Sequence, residues 1–85
     1  MKTLTSRYEF EIITTDDSLM SEKCNTIELE NTGDVDFVID EVIKVSPGTS
    51  KILGGRTNVA INQEFEIVFP NAGTKSCTIT KEFIE

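Results

Sequence analysis

The side chains that could do chemistry in this chain are carboxylates, two thiols and scattered hydroxyls, with no imidazole to join them. Histidine is absent from all 85 residues, so neither a Ser–His nor a Cys–His couple can be assembled. Cys24 and Cys77 lie far apart in sequence, and two thiols fall short of the four ligands a structural zinc usually takes. Glu30, Asp34, Asp36, Asp40 and Glu41 form an acidic run that offers oxygen ligands to calcium. The run lacks the spacing of a calcium-binding loop, and strand alternation spreads its carboxylates apart. A solvated face whose charges deter edge-to-edge aggregation is the simpler reading. Asp16 and Asp17 are neighbours on a loop and are expected to face water rather than pair as acid and base. Gly54-Gly55-Arg56-Thr57 lacks the spacing and the Gly-Lys-Ser/Thr ending of a phosphate loop, and reads as a turn. No catalytic residue, metal ligand or cofactor is expected, and the chain is not read as an enzyme.

The elements that would position any site are strands. Ile27 to Gly48 is the organising stretch, IELENTGDVDFVIDEVIKVSPG. Ile27 and Leu29 alternate with Glu28 and Glu30, the pattern of a half-buried strand. Asn31-Thr32-Gly33-Asp34 supplies a turn, with Gly33 free to take positive φ and Asn31 able to bond its own backbone. Val35, Phe37 and Ile39 resume the alternation, so the two runs read as a hairpin. Ser46-Pro47-Gly48-Thr49 fits a type II turn. Between these turns Glu41 shares parity with Phe37, Ile39 and Ile43. A straight strand would bury it, at a cost of several kcal/mol if unpaired. A bend or bulge at Asp40-Glu41 avoids this, reverses the parity beyond it and turns Val42 inward. A strand bent there could cross from one sheet to another.

Further strands are expected over Arg7 to Ile13, Cys24 to Glu30, Ser50 to Leu53, Thr57 to Ile61, Glu64 to Phe69 and Ser76 to Ile84. Thr14 to Ser18 reads as a loop, and Asp17 or Ser18 could cap a short helical turn through Leu19-Met20. No pattern of period 3.6 persists for three turns. Strands this short, with turn signals every eight to twelve residues, predict an all-β fold: a small antiparallel β-sandwich or barrel of about seven strands. The inward residues are expected to be Tyr8, Phe10, Ile12, Ile27, Leu29, Val35, Phe37, Ile39, Val45, Val59, Ile61, Phe65, Ile67, Phe69, Ile79 and Phe83. The length suits a single domain over residues 1–85, with 1–6 as a flexible or edge arm.

Fifteen acidic and eight basic residues give a net charge of −7. Nothing basic clusters, which argues against binding nucleic acid through its phosphates or adhering to anionic membranes. No apolar run follows Lys2, so a signal peptide is not expected, and no stretch reaches the ~20 apolar residues of a membrane-spanning helix. Synthesis in the cytoplasm follows as the expectation. Cys24 and Cys77 fall on different strands, so a bridge between them is conceivable. Their phases and the compartment argue against it.

Ile-x-Leu-x-Asn-Thr-Gly over Ile27 to Gly33, Val35 to Ile39, Pro47-Gly48 and Phe-x-Ile-x-Phe over Phe65 to Phe69 resemble the compact immunoglobulin-like sandwiches. The resemblance implies two packed sheets and an adhesive, scaffolding or virion-decoration role. The core Trp and inter-sheet cysteine pair of antibody domains are not matched.

A second set of apolar residues falls in the outward phase: Ile13, Val38, Val68 and Ile84, joined by Val42 or Ile43 depending on the bend. They are read either as a protein-binding patch or as ordinary scattered surface aliphatics. The resulting expectation is a structural protein acting through protein–protein contacts, by self-association or in a larger assembly. Its most concrete version is a phage virion component such as a capsid decoration, head fibre or connector. The alternative is a small acidic regulator or inhibitor, a nucleic-acid mimic seated on a basic protein site.

Overall fold

The computed structural model describes residues 6–21, 23–55 and 60–84. Eight strands occur in chain order: β1 Ser6–Ile13, β2 Asp17–Met20, β3 Thr26–Asn31, β4 Phe37–Ile39, β5 Ile43–Val45, β6 Ser50–Gly54, β7 Glu64–Val68 and β8 Cys77–Ile84. They form two antiparallel four-stranded sheets, β1-β8-β3-β6 and β2-β7-β4-β5. The small antiparallel β-sandwich expected from the alternation is thus present, with eight strands against about seven expected. β2 falls where a loop and a short helical turn were expected. The segment expected as a strand over Thr57 to Ile61 falls largely outside the described residues, as does most of the expected arm over 1–6. Ile61 itself makes an isolated bridge to Cys24.

The pairings are nested. β4 pairs with β5, β3 with β6, β2 with β7 and β1 with β8, all antiparallel. The chain therefore behaves as one long hairpin, wrapped so that β8 also meets β3 and β7 also meets β4. That double Greek key is the connectivity of a jelly roll. The likeness to immunoglobulin-like sandwiches extends to the two-layer architecture and stops at the strand order. In those domains the last two strands share a sheet, whereas β7 and β8 lie in different sheets here.

The tip of the long hairpin is the irregularity around Glu41. Asp40 and Glu41 both have positive φ, 51° and 62°, and the Val42 N–H donates to Ile39 O at 3.0 Å. The chain reverses here within one sheet; it does not bend across to another. Glu41 is exposed, as its charge requires. The loop holds three residues, so Ile39 stands opposite Ile43 and the parity is kept. Val42 consequently points out, 81% exposed, while Ile43 packs on the core.

The Asn31–Asp34 turn, by contrast, is no hairpin. It hands the chain from the first sheet to the second, and its anchor is Asn31, which is 1% exposed. Asn31 Nδ2 donates to Val35 O at 2.7 Å and Val45 O at 2.9 Å, and Oδ1 accepts the Gly33 N–H. Its backbone N–H donates to Thr49 O, and its carbonyl accepts the Gly48 N–H. Side chain and backbone of this one residue thus tie β3 to β5 and to the Ser46–Thr49 turn, where Gly48 has the φ of +79° a type II turn demands.

Gly33 serves a different purpose from the one its turn suggests. It is not among the glycines with positive φ; a Cβ there would sit 2.2 Å from Thr74 O and 2.8 Å from Ser76 N. The corner presses backbone to backbone, with Thr32 N–H donating to Ser76 O and Asp34 N–H to Thr74 O. Gly33→Ala is expected to cost on the order of 2 kcal/mol through this clash. Gly48→Ala, with nothing within 4 Å of its Cβ, should cost only the ~1 kcal/mol of a left-handed φ. Urea denaturation of the two variants measures the difference.

Ile27, Leu29, Phe37, Ile39, Val45, Phe65, Ile67, Phe69 and Ile79 form the core as expected, and Val35, Ile61 and Phe83 pack partly buried against it. The Phe37 and Phe69 rings meet edge to face at 5.7 Å. Strand β1 departs from expectation. Tyr8, Phe10 and Ile12 were assigned inward by alternation but are 55%, 72% and 66% exposed, and Ile13, assigned outward, is 5% exposed. The register with β8 explains the inversion. Ile13 stands opposite Cys77 and Glu11 opposite Ile79, and Cys77 and Ile79 both point into the core. The odd-numbered residues of β1 therefore share the inner face, although at this edge Arg7, Glu9 and Glu11 stay exposed.

Candidate protein-contact surface

The inverted phase of β1 places its apolar side chains on the outer face of the first sheet. Following the register across β1, β8, β3 and β6, that face is built in rows. One row is Ile12, Thr78, Glu30 and Ser50; the next is Phe10, Thr80, Glu28 and Ile52; the third is Tyr8, Glu82, Thr26 and Gly54. Tyr8, Phe10 and Ile12 run down the β1 column, and Ile52 stands 58% exposed on the far column. The Tyr8 and Phe10 rings stack at 6.4 Å with planes 20° apart. The Tyr8 hydroxyl donates to Glu82 Oε2 at 3.1 Å. That hydrogen bond, with the Glu82 charge, raises the phenol above its ordinary pKa.

Charge on this face has one sign. Its rows contain Glu28, Glu30 and Glu82 and no Lys or Arg. The basic residues of these strands lie on the other side: the Arg7 guanidinium contacts Glu9 and sits 4.5 Å over the Phe83 ring. Lys81 Nζ donates to Met20 O at 2.8 Å. The surface is thus an aromatic and aliphatic stripe along a sheet edge, beside carboxylates and threonine hydroxyls. Such a surface can bind by apolar contact and by strand pairing.

The residues singled out in the sequence are only partly brought together. Val38 and Val68 are cross-strand partners on the outer face of the second sheet; Lys44 stands beside Val38, and Glu66 and Glu64 share the outer face of β7 with Val68. Val42 stands apart at the hairpin tip. Ile13 is in the core and Ile43 packs against it, so neither joins an outer patch. The side chain of Ile84 lies outside the described residues. Tyr8, Phe10, Ile12 and Ile52 were missed because strict alternation predicts two faces without saying which is covered. The signal that could have found them is Arg7-x-Glu9-x-Glu11 ending on Ile13, charges expected on whichever face of an edge strand overhangs the core.

The carboxylates weighed for chemistry hold backbone instead. Asp16 Oδ1 accepts the Phe69 N–H at 2.8 Å, Asp17 Oδ1 the Ser18 N–H, Asp34 Oδ1 the Thr74 N–H and Asp40 Oδ1 the Glu66 N–H. Asp36 lies 3.3 Å from Lys44 Nζ. An open cleft of ≈ 530 Å³ lies beside the hairpin tip, walled by Ile39, Ile43, Leu53, Ile61 and Phe65, with Asp40 and Gln63 as its polar lining.

Both thiols are free and buried. Burial pushes the Cys77 thiol up to about 12 from the ordinary 9.0, with the Glu11 charge adding to it. An acid whose folded pKa is raised stabilises the fold while both states keep it neutral, and that stability drains away once the unfolded chain ionises. Below pH 9 no effect is expected. Between pH about 9 and 12 the wild type should lose up to ~1.4 kcal/mol per pH unit that a Cys77→Ala variant does not lose. Thermal melts of the two chains across that window check it.

No family model matches the chain, and no match is found among curated proteins or solved structures.

Proposed function

We propose that this chain is a non-enzymatic structural module that works by holding other protein chains against the outer face and free edge of its first sheet. The observation that carries the reading is the run of exposed Tyr8, Phe10 and Ile12 on one column of that sheet. Water contact with three large apolar side chains in a row is unfavourable, and covering them is worth roughly 25 cal/mol per Å² of apolar area removed. A virion setting, as capsid decoration, head fibre or connector, is the concrete form of this reading. It is supported by the jelly-roll connectivity that viral capsid domains share with lectins and cupins, a fold-level analogy. In that setting the chain is made in the cytoplasm and taken up into the particle.

The one-signed charge of the outer face favours a second reading, an acidic regulator seated on a basic protein. Against it, carboxylates are also placed on the second sheet and at the corners, at Asp34, Asp36, Glu41, Glu64 and Glu66, rather than in one phosphate-like row. Capture experiments separate the two. Immobilised wild type and Phe10→Glu are compared for what they retain from extracts of the source cells at ~0.15 M and ~0.5 M salt. A component held by wild type at both salts and lost by Phe10→Glu supports the structural reading. A component released by salt and indifferent to Phe10 supports the regulator. Identical retention by the two chains at both salts overturns the assignment to this face.

A further inference from the structure

The partner that the β1 edge fits best is another β1. Four strands lie at sheet edges: β1, β6, β2 and β5. β5 has 3 residues, β2 has 4, and β6 has 5 and ends where Gly54 and Gly55 take positive φ. Short or interrupted edges are poor templates for pairing. β1 has 8 residues and contains neither Pro nor Gly. It pairs with β8 without a bulge from Ser6↔Ile84 to Ile13↔Cys77, and the first sheet ends there. Among the described residues no strand pairs with its other side, so that side offers a regular edge to a further strand.

The charges on β1 make that edge selective. In a two-fold dimer with antiparallel β1 strands, the axis is perpendicular to the sheet, so inner residues face inner residues and outer face outer. Centring the axis at Glu9 aligns Ser6 to Ile12 of each copy. It sets Arg7 opposite Glu11 of the other copy and Tyr8 opposite Phe10, each twice over. Glu9 then meets its own equivalent, but each Glu9 is already in contact with its own Arg7 and stands opposite Lys81 on β8. Centring at Phe10 would set Glu9 against Glu11 twice. Centring at Tyr8 would leave only Ser6 to Phe10 paired. Face-to-face stacking of two copies would press Glu28, Glu30 and Glu82 against their equivalents. Cross-strand opposite charges and aromatic pairs stabilise, and like charges directly opposite destabilise, so the Glu9-centred register is the favoured one.

We infer that β1 pairs with β1 of a second copy about a two-fold axis at Glu9, giving a closed dimer with one continuous eight-stranded sheet. The inference rests on the reading that this face and edge contact protein, and names the partner. The pairing is isologous, so it uses up both long edges and does not propagate into fibres. It also joins the two Tyr8–Phe10 stacks into one apolar patch across the centre of the sheet, broad enough to seat a further partner.

Sedimentation equilibrium from ~10 μM to ~1 mM tests it, with a charge swap as the register probe. Arg7→Glu and Glu11→Arg each turn two attractive cross-strand pairs into repulsive ones and should weaken association about tenfold or more. The double variant Arg7→Glu/Glu11→Arg restores the pairs and should recover most of it. Hydrogen exchange of the wild type alone, at the two ends of the concentration range, gives a reading that needs no variant: protection should rise in β1 and not in β6. A monomer throughout the range overturns the inference, as does a dimer indifferent to the swap or one that protects some other strand. A chain that is monomeric throughout the range and still holds a foreign partner through Phe10 would sink the dimer and leave the structural role standing.

Discussion

Asn31→Ala is expected to destabilise the domain by about 3–5 kcal/mol, more than any other exchange of similar size. The side chain is sealed in the corner between the sheets, and its amide group serves three backbone partners: the carbonyls of Val35 and Val45 and the N–H of Gly33. Truncation leaves these without their partner in a site that water reaches poorly, at roughly 1–3 kcal/mol for each group stranded. A chain of this size has about 4–13 kcal/mol to lose in total. Asn31→Asp provides the sharper test, because it changes little in volume. A carboxylate keeps the acceptor for Gly33 but points its second oxygen at two carbonyl oxygens. The carboxyl pKa should then be driven up in the folded state. By linkage, the variant's deficit against wild type is greatest above that raised pKa and shrinks as pH falls through it, since the protonated group can donate one hydrogen bond again. Urea midpoints of wild type, Asn31→Ala and Asn31→Asp between pH 4 and 8 measure both effects. A loss below 1 kcal/mol for Asn31→Ala would mean that the corner is held by its backbone contacts alone.

The second large effect separates two neighbours of the same type. Ile13→Glu should unfold the domain or cost upwards of 4 kcal/mol, because the carboxylate would enter the apolar core opposite Cys77. Ile12→Glu, one residue earlier, should change stability by no more than ~0.5 kcal/mol, since that side chain is 66% exposed. It should instead remove protein binding, by adding a charge to the apolar column of a face that is already acidic. Circular dichroism melts and the capture comparison read the two consequences separately. Strict alternation from Tyr8 to Ile12 predicts the reverse order of stabilities, so this pair decides which phase of β1 is right.

Much of the sandwich is legible in the sequence, because a strand with one covered face must alternate. Ile27 and Leu29, Phe37 and Ile39, and Phe65, Ile67 and Phe69 were all placed correctly by that rule alone. The Pro47-Gly48 turn was legible too, since only glycine takes that φ cheaply. What alternation cannot supply is the identity of the neighbour. β3 and β4 look like a hairpin until Asn31 is seen to send its side chain across to β5. Gly33 looks like a torsional requirement, whereas it clears space for the Thr74 carbonyl. The reversal at Asp40-Glu41 was visible as a conflict between charge and parity, but a three-residue loop and a bend both relieve that conflict. Only the pairing of Ile39 with Ile43 tells them apart.

The contact surface suffers most from the same limit. Tyr8, Phe10 and Ile12 form the best apolar alternation near the start of the chain, so a rule that buries the apolar face buries them. Their exposure is set by β8, some seventy residues away, whose Cys77 and Ile79 fix which side of the first sheet is inner. Long-range register of this kind leaves no local mark except the single Ile13 at the end of a charged face. The surface that matters for the proposed role was therefore hidden by its own hydrophobicity.

In the proposed role this protein works through the outer face and free edge of its first sheet. Hydroxyl-radical footprinting tests it most directly, comparing the purified, dilute chain with the same chain in a native extract of its source. Tyr8 and Phe10 should be oxidised readily in the isolated chain and protected in the extract, while Val42 at the hairpin tip reacts equally in both. Equal oxidation of Tyr8 and Phe10 in the two samples would contradict it.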